Sequence, residues 1–193
     1  MPATRRHGEA LVRAIYVAVL AEVAEHGYAG TTYDGVARRA GTSKPVLYRR
    51  WPTKARMVLD AFLDARPGLT LPADTGSFSG DLKAFLSNVE SMMERAGRQT
   101  TLGLLAELDL SAGESVRELV FARGAEVIEA LLQRARARGE IGNAPLPQHM
   151  VALPLDLVRH EVTIVGSLTA ETLDTIVDDI AVPLLTARSR QAD

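Results

Sequence analysis

Apolar residues recur at intervals of three and four along nearly the whole chain, and no long stretch alternates with a period of two. That spacing lines apolar side chains along one face of a helix and leaves no half-buried strands to pair. The 193-residue chain is therefore expected to be all-α. Leu11, Ile15, Val19 and Val23, joined by Val12, Tyr16 and Leu20, predict a helix over about 8–26, stopped by Gly27. A short helix over about 33–40, with Thr31 or Thr32 as N-cap, ends at Gly41. A second starts after Ser43 and stops by Trp51, because Pro52 disfavours helical backbone at the residue before it. Thr53 caps a further helix over about 54–66. Residues 67–80, rich in Pro, Gly, Ser and Thr, read as a linker between a head, 1–66, and a body, 67–193. The body offers helices near 81–96, 98–111, 114–138, 147–166 and 170–188. Kinks are expected at Pro154 and Pro183, each of which removes a backbone donor.

Charge is distributed unevenly between these parts. The head carries 11 Lys+Arg against 6 Asp+Glu, and the body 11 against 18. Residues 35–59 hold Arg38, Arg39, Lys44, Arg49, Arg50, Lys54 and Arg56 with no acidic residue among them. A basic head on an acidic body fits a protein whose head alone meets a polyanion, although a solvated helix face would show the same run. The absence of Cys excludes disulfide frameworks, thiolate zinc sites and cysteine nucleophiles. No apolar run approaches the roughly 20 residues needed to span a bilayer, and 1–7 lack the apolar core of a signal peptide. A cytoplasmic protein with no membrane partner is expected.

The head carries the most specific pattern. Two short helices joined by Ala40-Gly41-Thr42-Ser43 make a helix-turn-helix, in which Gly41 allows the left-handed backbone of a sharp turn. Pro45 is tolerable in a first helical turn, where its missing N–H has no partner to lose. On the second helix Leu47 and Trp51 face inward. Lys44 with Tyr48, Pro45 with Arg49, and Val46 with Arg50 occupy the flanks and outer face. A narrow helix so decorated fits the major groove of DNA. The terminal Thr4-Arg5-Arg6-His7 reads either as a minor-groove arm or, more simply, as a solvated terminus.

The run from Glu25 to Lys54, with His26-Gly27-Tyr28, Thr31-Thr32, Val36-Ala37, Ala40-Gly41-Thr42-Ser43-Lys44, Leu47-Tyr48 and Trp51 in register, resembles the DNA-binding domain of the TetR family. The resemblance covers about the first 66 residues. It implies an all-helical homodimer with a three-helix head, a connecting helix, and a body that binds a small molecule and dimerises. Carried across, Thr32, Tyr33, Ser43, Tyr48 and Lys54 match positions that grip phosphates, with Thr42 beside them in the turn. Lys44, Pro45 and Val46 match positions that face base edges. Two departures stand out: Arg49-Arg50 replaces the usual aromatic-His pair, and Trp51 replaces Phe. Whether Arg49 reaches a base or a phosphate stays open on the sequence.

For the body the resemblance implies an effector cavity lined by residues such as Phe85, Met92, Met93, Leu105, Leu108 and Phe121. Arg98, Glu107, Asp156, Arg159 and His160 are the polar candidates to orient a ligand. The last two helices carry apolar faces, Leu155, Val158 and Val162 on one and Ile176, Ile180 and Leu184 on the other, and the resemblance implies that they form a dimer seam. No cofactor or metal is expected. The four His have no HExxH spacing, there is no GxGxxG or Walker A loop, and Gly76-Ser77-Phe78-Ser79-Gly80 has Phe where a nucleophile elbow needs Ser. The expected function is a transcription regulator, a repressor that a small apolar effector releases from a palindromic operator. The rival is a helical binding or scaffold protein with a vestigial head.

Overall fold

In a computed structural model of the chain, the structure describes residues 8–65, 69–107 and 116–191, the side chains of Leu105 and of 116–122 excepted. Among the described residues every regular element is helical. In chain order these are α1 (Glu9–Gly30), α2 (Tyr33–Ala40), α3 (Lys44–Arg50), α4 (Lys54–Ala65), α5 (Phe78–Ala96), α6 (Arg98–Glu107), α7 (Val116–Ala137), α8 (Gln148–His160), α9 (Ala170–Asp174) and α10 (Val182–Ser189). Two π-helical stretches, Glu161–Val165 and Thr175–Ala181, follow α8 and α9.

The chain divides into two compact units: Met1–Arg66 with Gln99–Ser111, and Pro67–Arg98 with Ala112–Asp193. The sequence places the boundary after Arg66 and assigns 99–111 to the body; of these, the described residues 99–107 group with the head by their contacts. Tyr28 explains this. Gly27, at φ +67, interrupts α1, and the extra turn that follows buries the Tyr28 ring, which is 5% exposed. Gly103 of α6 lies against that ring so closely that a Cβ there would fall 2.4 Å from Tyr28 Cδ1. The Tyr28 hydroxyl donates to Glu107 Oε2 at 2.6 Å, and Leu104 packs on the same core.

That core joins Ile15, Val19 and Val23 of α1 to Val36 and Ala37 of α2, Leu47 of α3, Trp51, and Met57, Val58 and Ala61 of α4. Burying one side chain of the size of Leu47, which has no exposed surface, contributes about 1.5–3 kcal/mol.

In the second unit α5 packs on α7 and α8. Phe78, Leu82, Phe85 and Leu86 of α5 and Ile128, Leu131 and Leu132 of α7 are almost fully buried. α8 runs as a helix through the buried Pro154. Before Pro183 the chain runs as a π-helix, which locally replaces the i→i−4 ladder that a proline ring obstructs. Arg98 Nε and Nη2 donate to the carbonyls of Thr163 (2.8 Å) and Ile164 (3.2 Å), closing the end of the first π-helical stretch.

Candidate nucleic-acid interface

Local chemistry sets the helix-turn-helix. Thr32, extended at φ −128, caps α2: its hydroxyl accepts from Gly35 N at 3.1 Å. Gly41 ends the helix in the left-handed region, φ +66 and ψ +36, and Thr42 N donates to Ala37 O at 3.0 Å. A side chain at that φ would strain the turn. Ser43 is the extended N-cap of α3 and makes no side-chain cap bond, while Pro45 occupies the first turn. Trp51, before Pro52, is extended and 1% exposed.

Four contacts fix α3 on its neighbours. Leu47 is wholly buried. The Tyr33 hydroxyl donates to Trp51 O at 2.8 Å, and Trp51 Nε1 donates to Asp60 Oδ2 at 2.9 Å. Tyr33 also stacks on Tyr48, ring centroids 4.1 Å apart and planes at 23°. Burial first, then the neighbouring Tyr48 and Glu107, push the Tyr33 phenol up to about 12, so it stays a donor at neutral pH.

The basic residues are not equivalent. Lys44 Nζ pairs with Asp34 Oδ2 at 2.8 Å and lies 6.0 Å from the Tyr48 ring. Arg50 lies over the Trp51 ring at 5.5 Å. Arg39 is held by Glu22 and Glu25, and Arg56 by Asp60 at 2.9 Å. Lys54, matched by resemblance to a phosphate-gripping position, turns onto the head itself. Its Nζ donates to Tyr28 O at 3.1 Å, lies 4.3 Å from the Tyr28 ring and reaches Glu107 Oε1 at 3.6 Å. Pro45, Tyr48 and Arg49 are exposed, and Val46 is half-buried. The arrangement is a short helix, anchored by Leu47 and Trp51, whose solvent face carries cations, an aromatic and two small apolar residues.

Residues 15–61 match the family described as bacterial regulatory proteins, tetR family, and residues 72–180 match the tetracyclin repressor-like, C-terminal domain. The chain belongs to the TetR family. An HTH-type transcriptional regulator of Mycobacterium tuberculosis is 30% identical over 167 residues, 84% of this chain and 81% of that protein. The DNA-binding transcriptional repressor TetR of Mycobacteroides abscessus is 28% identical over 191 residues, covering 95% of this chain and 98% of its own length. The crystal structure of the TetR family transcription regulator SCO0332 superposes with a TM-score of 0.72 at 27% identity, over 90% of this chain and 97% of the other. The protein is a helix-turn-helix transcriptional regulator of this family, whose members bind DNA, dimerise, respond to small molecules and are not enzymes.

In this TetR-family body the expected pocket residues are scattered in character. Phe85 and Met93 are buried on α5 and Met92 is half-buried. Leu108 and the side chains of Leu105 and Phe121 lie outside the described residues, as do 4–7. Arg159 is largely buried, which lowers the affinity of its guanidinium for a proton, while Asp156 at 2.5 Å counters that. Arg98 and Glu107 hold backbone and head groups as described, and His160 is exposed. Leu155, Val158, Val162 and Ile176 are buried within the single chain, Leu184 is half-buried, and Ile180 is 38% exposed. Ile164 and Val165, each 59% exposed, are the larger apolar surface. Ile164 escapes a 3.6-residue reading because the π-helical stretch rotates the face by an extra residue. Among the described residues no three His, Asp or Glu gather as a metal site, and no helix is long and apolar enough to cross a membrane.

Proposed function

We propose that this regulator is a cytoplasmic homodimeric repressor that leaves a palindromic operator when a small apolar molecule binds its body. The observation that carries the reading is the exposed face of α3, held by Leu47 and Trp51 on a complete helix-turn-helix. A two-fold dimer would set two such helices about 34–36 Å apart, one turn of duplex. Exposed Ile164, Val165 and Ile180 support an interface between copies near the end of α8 and in the stretch before α10. The aromatic and methionine side chains of α5 support an apolar effector, and the repressor named above supports the sign of regulation. An effector that binds the DNA-incompetent form more tightly would release the operator by shifting the population.

The test is fluorescence anisotropy with duplex from upstream of the protein's own gene and a scrambled control. Wild type is expected to prefer the upstream duplex. Tyr48→Phe keeps the ring stacked on Tyr33 and removes the hydroxyl, so it should weaken both duplexes alike while leaving the melting temperature unchanged. Equal affinity of wild type for both duplexes would remove the operator reading.

A further inference from the structure

Seven cations lie between residues 35 and 59, and five of them already have partners: Arg39 with Glu22 and Glu25, Lys44 with Asp34, Arg50 with the Trp51 ring, Lys54 with Tyr28 O and Glu107, and Arg56 with Asp60. Arg38 and Arg49 have none among the described residues. Arg38 closes α2; Arg49 stands on α3.

The direction of Arg49 follows from the helix period. With about 100° per residue, Pro45 and Arg49 lie roughly 160° and 200° round from the buried Leu47, on the crest of α3. Lys44 and Tyr48 sit on one flank, Val46 and Arg50 on the other. A helix laid in the major groove points its crest at base edges and its flanks at the phosphate walls. Pro45 has no donor, so hydrogen bonding from the crest falls to the guanidinium of Arg49 alone. Its fork needs two adjacent acceptors, and guanine O6 and N7 are the base edge that offers them. Adenine sets a donor beside N7, cytosine presents a donor, and thymine has a single acceptor.

We infer that Arg49 is a specificity-determining residue that reads a guanine in each half-site through O6 and N7. Lys44, turned to Asp34, is left to the flank. This inference rests on the duplex-binding reading above.

The experiment is selection from a pool of random-sequence duplexes by the full-length protein, in parallel for wild type, Arg49→Ala and Arg49→Gln, followed by anisotropy on the enriched and scrambled duplexes. Wild type should enrich a guanine at one fixed position per half-site. Arg49→Ala should leave that position unspecified and lose about 10- to 100-fold on the enriched duplex, with little change on the scrambled one. Arg49→Gln should move the preference at that position from guanine to adenine, whose N6 and N7 suit an amide. The exposed position makes both variants expected to melt like wild type. A guanine that persists in Arg49→Ala, with equal losses on both duplexes and a shallower salt slope, marks a phosphate contact and overturns the assignment. No enrichment by wild type would overturn the duplex-binding reading itself, and the assignment with it.

Discussion

Glu107 holds Lys54 in the free head, and we propose a DNA phosphate as its alternative partner. In the free head the ammonium is shared between the Tyr28 carbonyl, the Tyr28 ring and the Glu107 carboxylate, and the same carboxylate accepts the Tyr28 hydroxyl. Burial, then the hydrogen bond to Glu107 and its charge, hold the Tyr28 phenol far above its ordinary range, so this hydroxyl remains a donor. Lys54 also begins α4, where its charge opposes the helix dipole, so it favours any nearby anion. Glu107→Gln keeps an acceptor for Tyr28 but removes the charge that holds Lys54. It is expected to raise affinity for duplexes of any sequence about two- to fivefold at low salt, a pair of this exposure being worth up to about 1 kcal/mol. Lys54→Ala should weaken all duplexes and lower the salt slope by about one. Anisotropy on scrambled DNA across a salt series measures both. Wild-type behaviour in both variants would show that Lys54 serves only to pin α4 to α1.

At the scale of elements, the start of α5 and the end of α7 are joined by one buried carboxylate. Asp81, with no exposed surface, accepts from Thr75 N and Oγ1, each at 2.8 Å, and from Arg138 Nη2 at 2.9 Å. Each charge suits its own helix end, an anion at the N-terminus of α5 and a cation just past the C-terminus of α7. Burial alone would raise the Asp81 carboxyl; the Thr75 bonds and the Arg138 guanidinium outweigh it and hold it below the usual carboxylate range. The unfolded chain, with a carboxyl near about 3.9, therefore binds more protons than the folded one below about pH 4. This contribution to stability is complete above that range and is lost as pH falls through the lower, folded value. Asp81→Asn should lower the melting temperature at pH 7 and flatten its fall as the pH drops below about 4. Parallel melting curves for variant and wild type over that acid range would assign the acid sensitivity to other groups.

For the molecule as a whole, the apolar surface left uncovered near the end of α8 and ahead of α10 sets the expected assembly. Wild type should sediment at about twice 20.8 kDa at micromolar concentration. Ile180, exposed in the single chain, can be replaced without opening its core, so Ile180→Asp should give a folded monomer with an unchanged helical spectrum. Leu155 is 2% exposed, and Leu155→Asp should instead unfold the protomer, because a buried unpaired charge costs several kcal/mol, roughly half of a typical stability. A dimeric, native Ile180→Asp would move the interface elsewhere.

What the chain announces in advance is local. Thr32, Gly41, Pro45 and Pro52 each act on backbone within four residues, so α2, the turn and α3 are readable without a neighbour in view. The inward role of Leu47 and Trp51 follows from the same periodicity, and the structure buries both. What depends on folding is partnership across long separations. The periodicity of α6 gives a helix near 98 but not the ring it packs on, because Tyr28 and Glu107 are 79 residues apart. The π-helical stretches break the 3.6-residue register that any pattern assumes, so the exposure of Ile164 could not be read ahead. The seven cations between residues 35 and 59 look alike in sequence. Only their neighbours in space separate five that are held from Arg38 and Arg49, since ion pairing depends on distances that the order of residues does not contain.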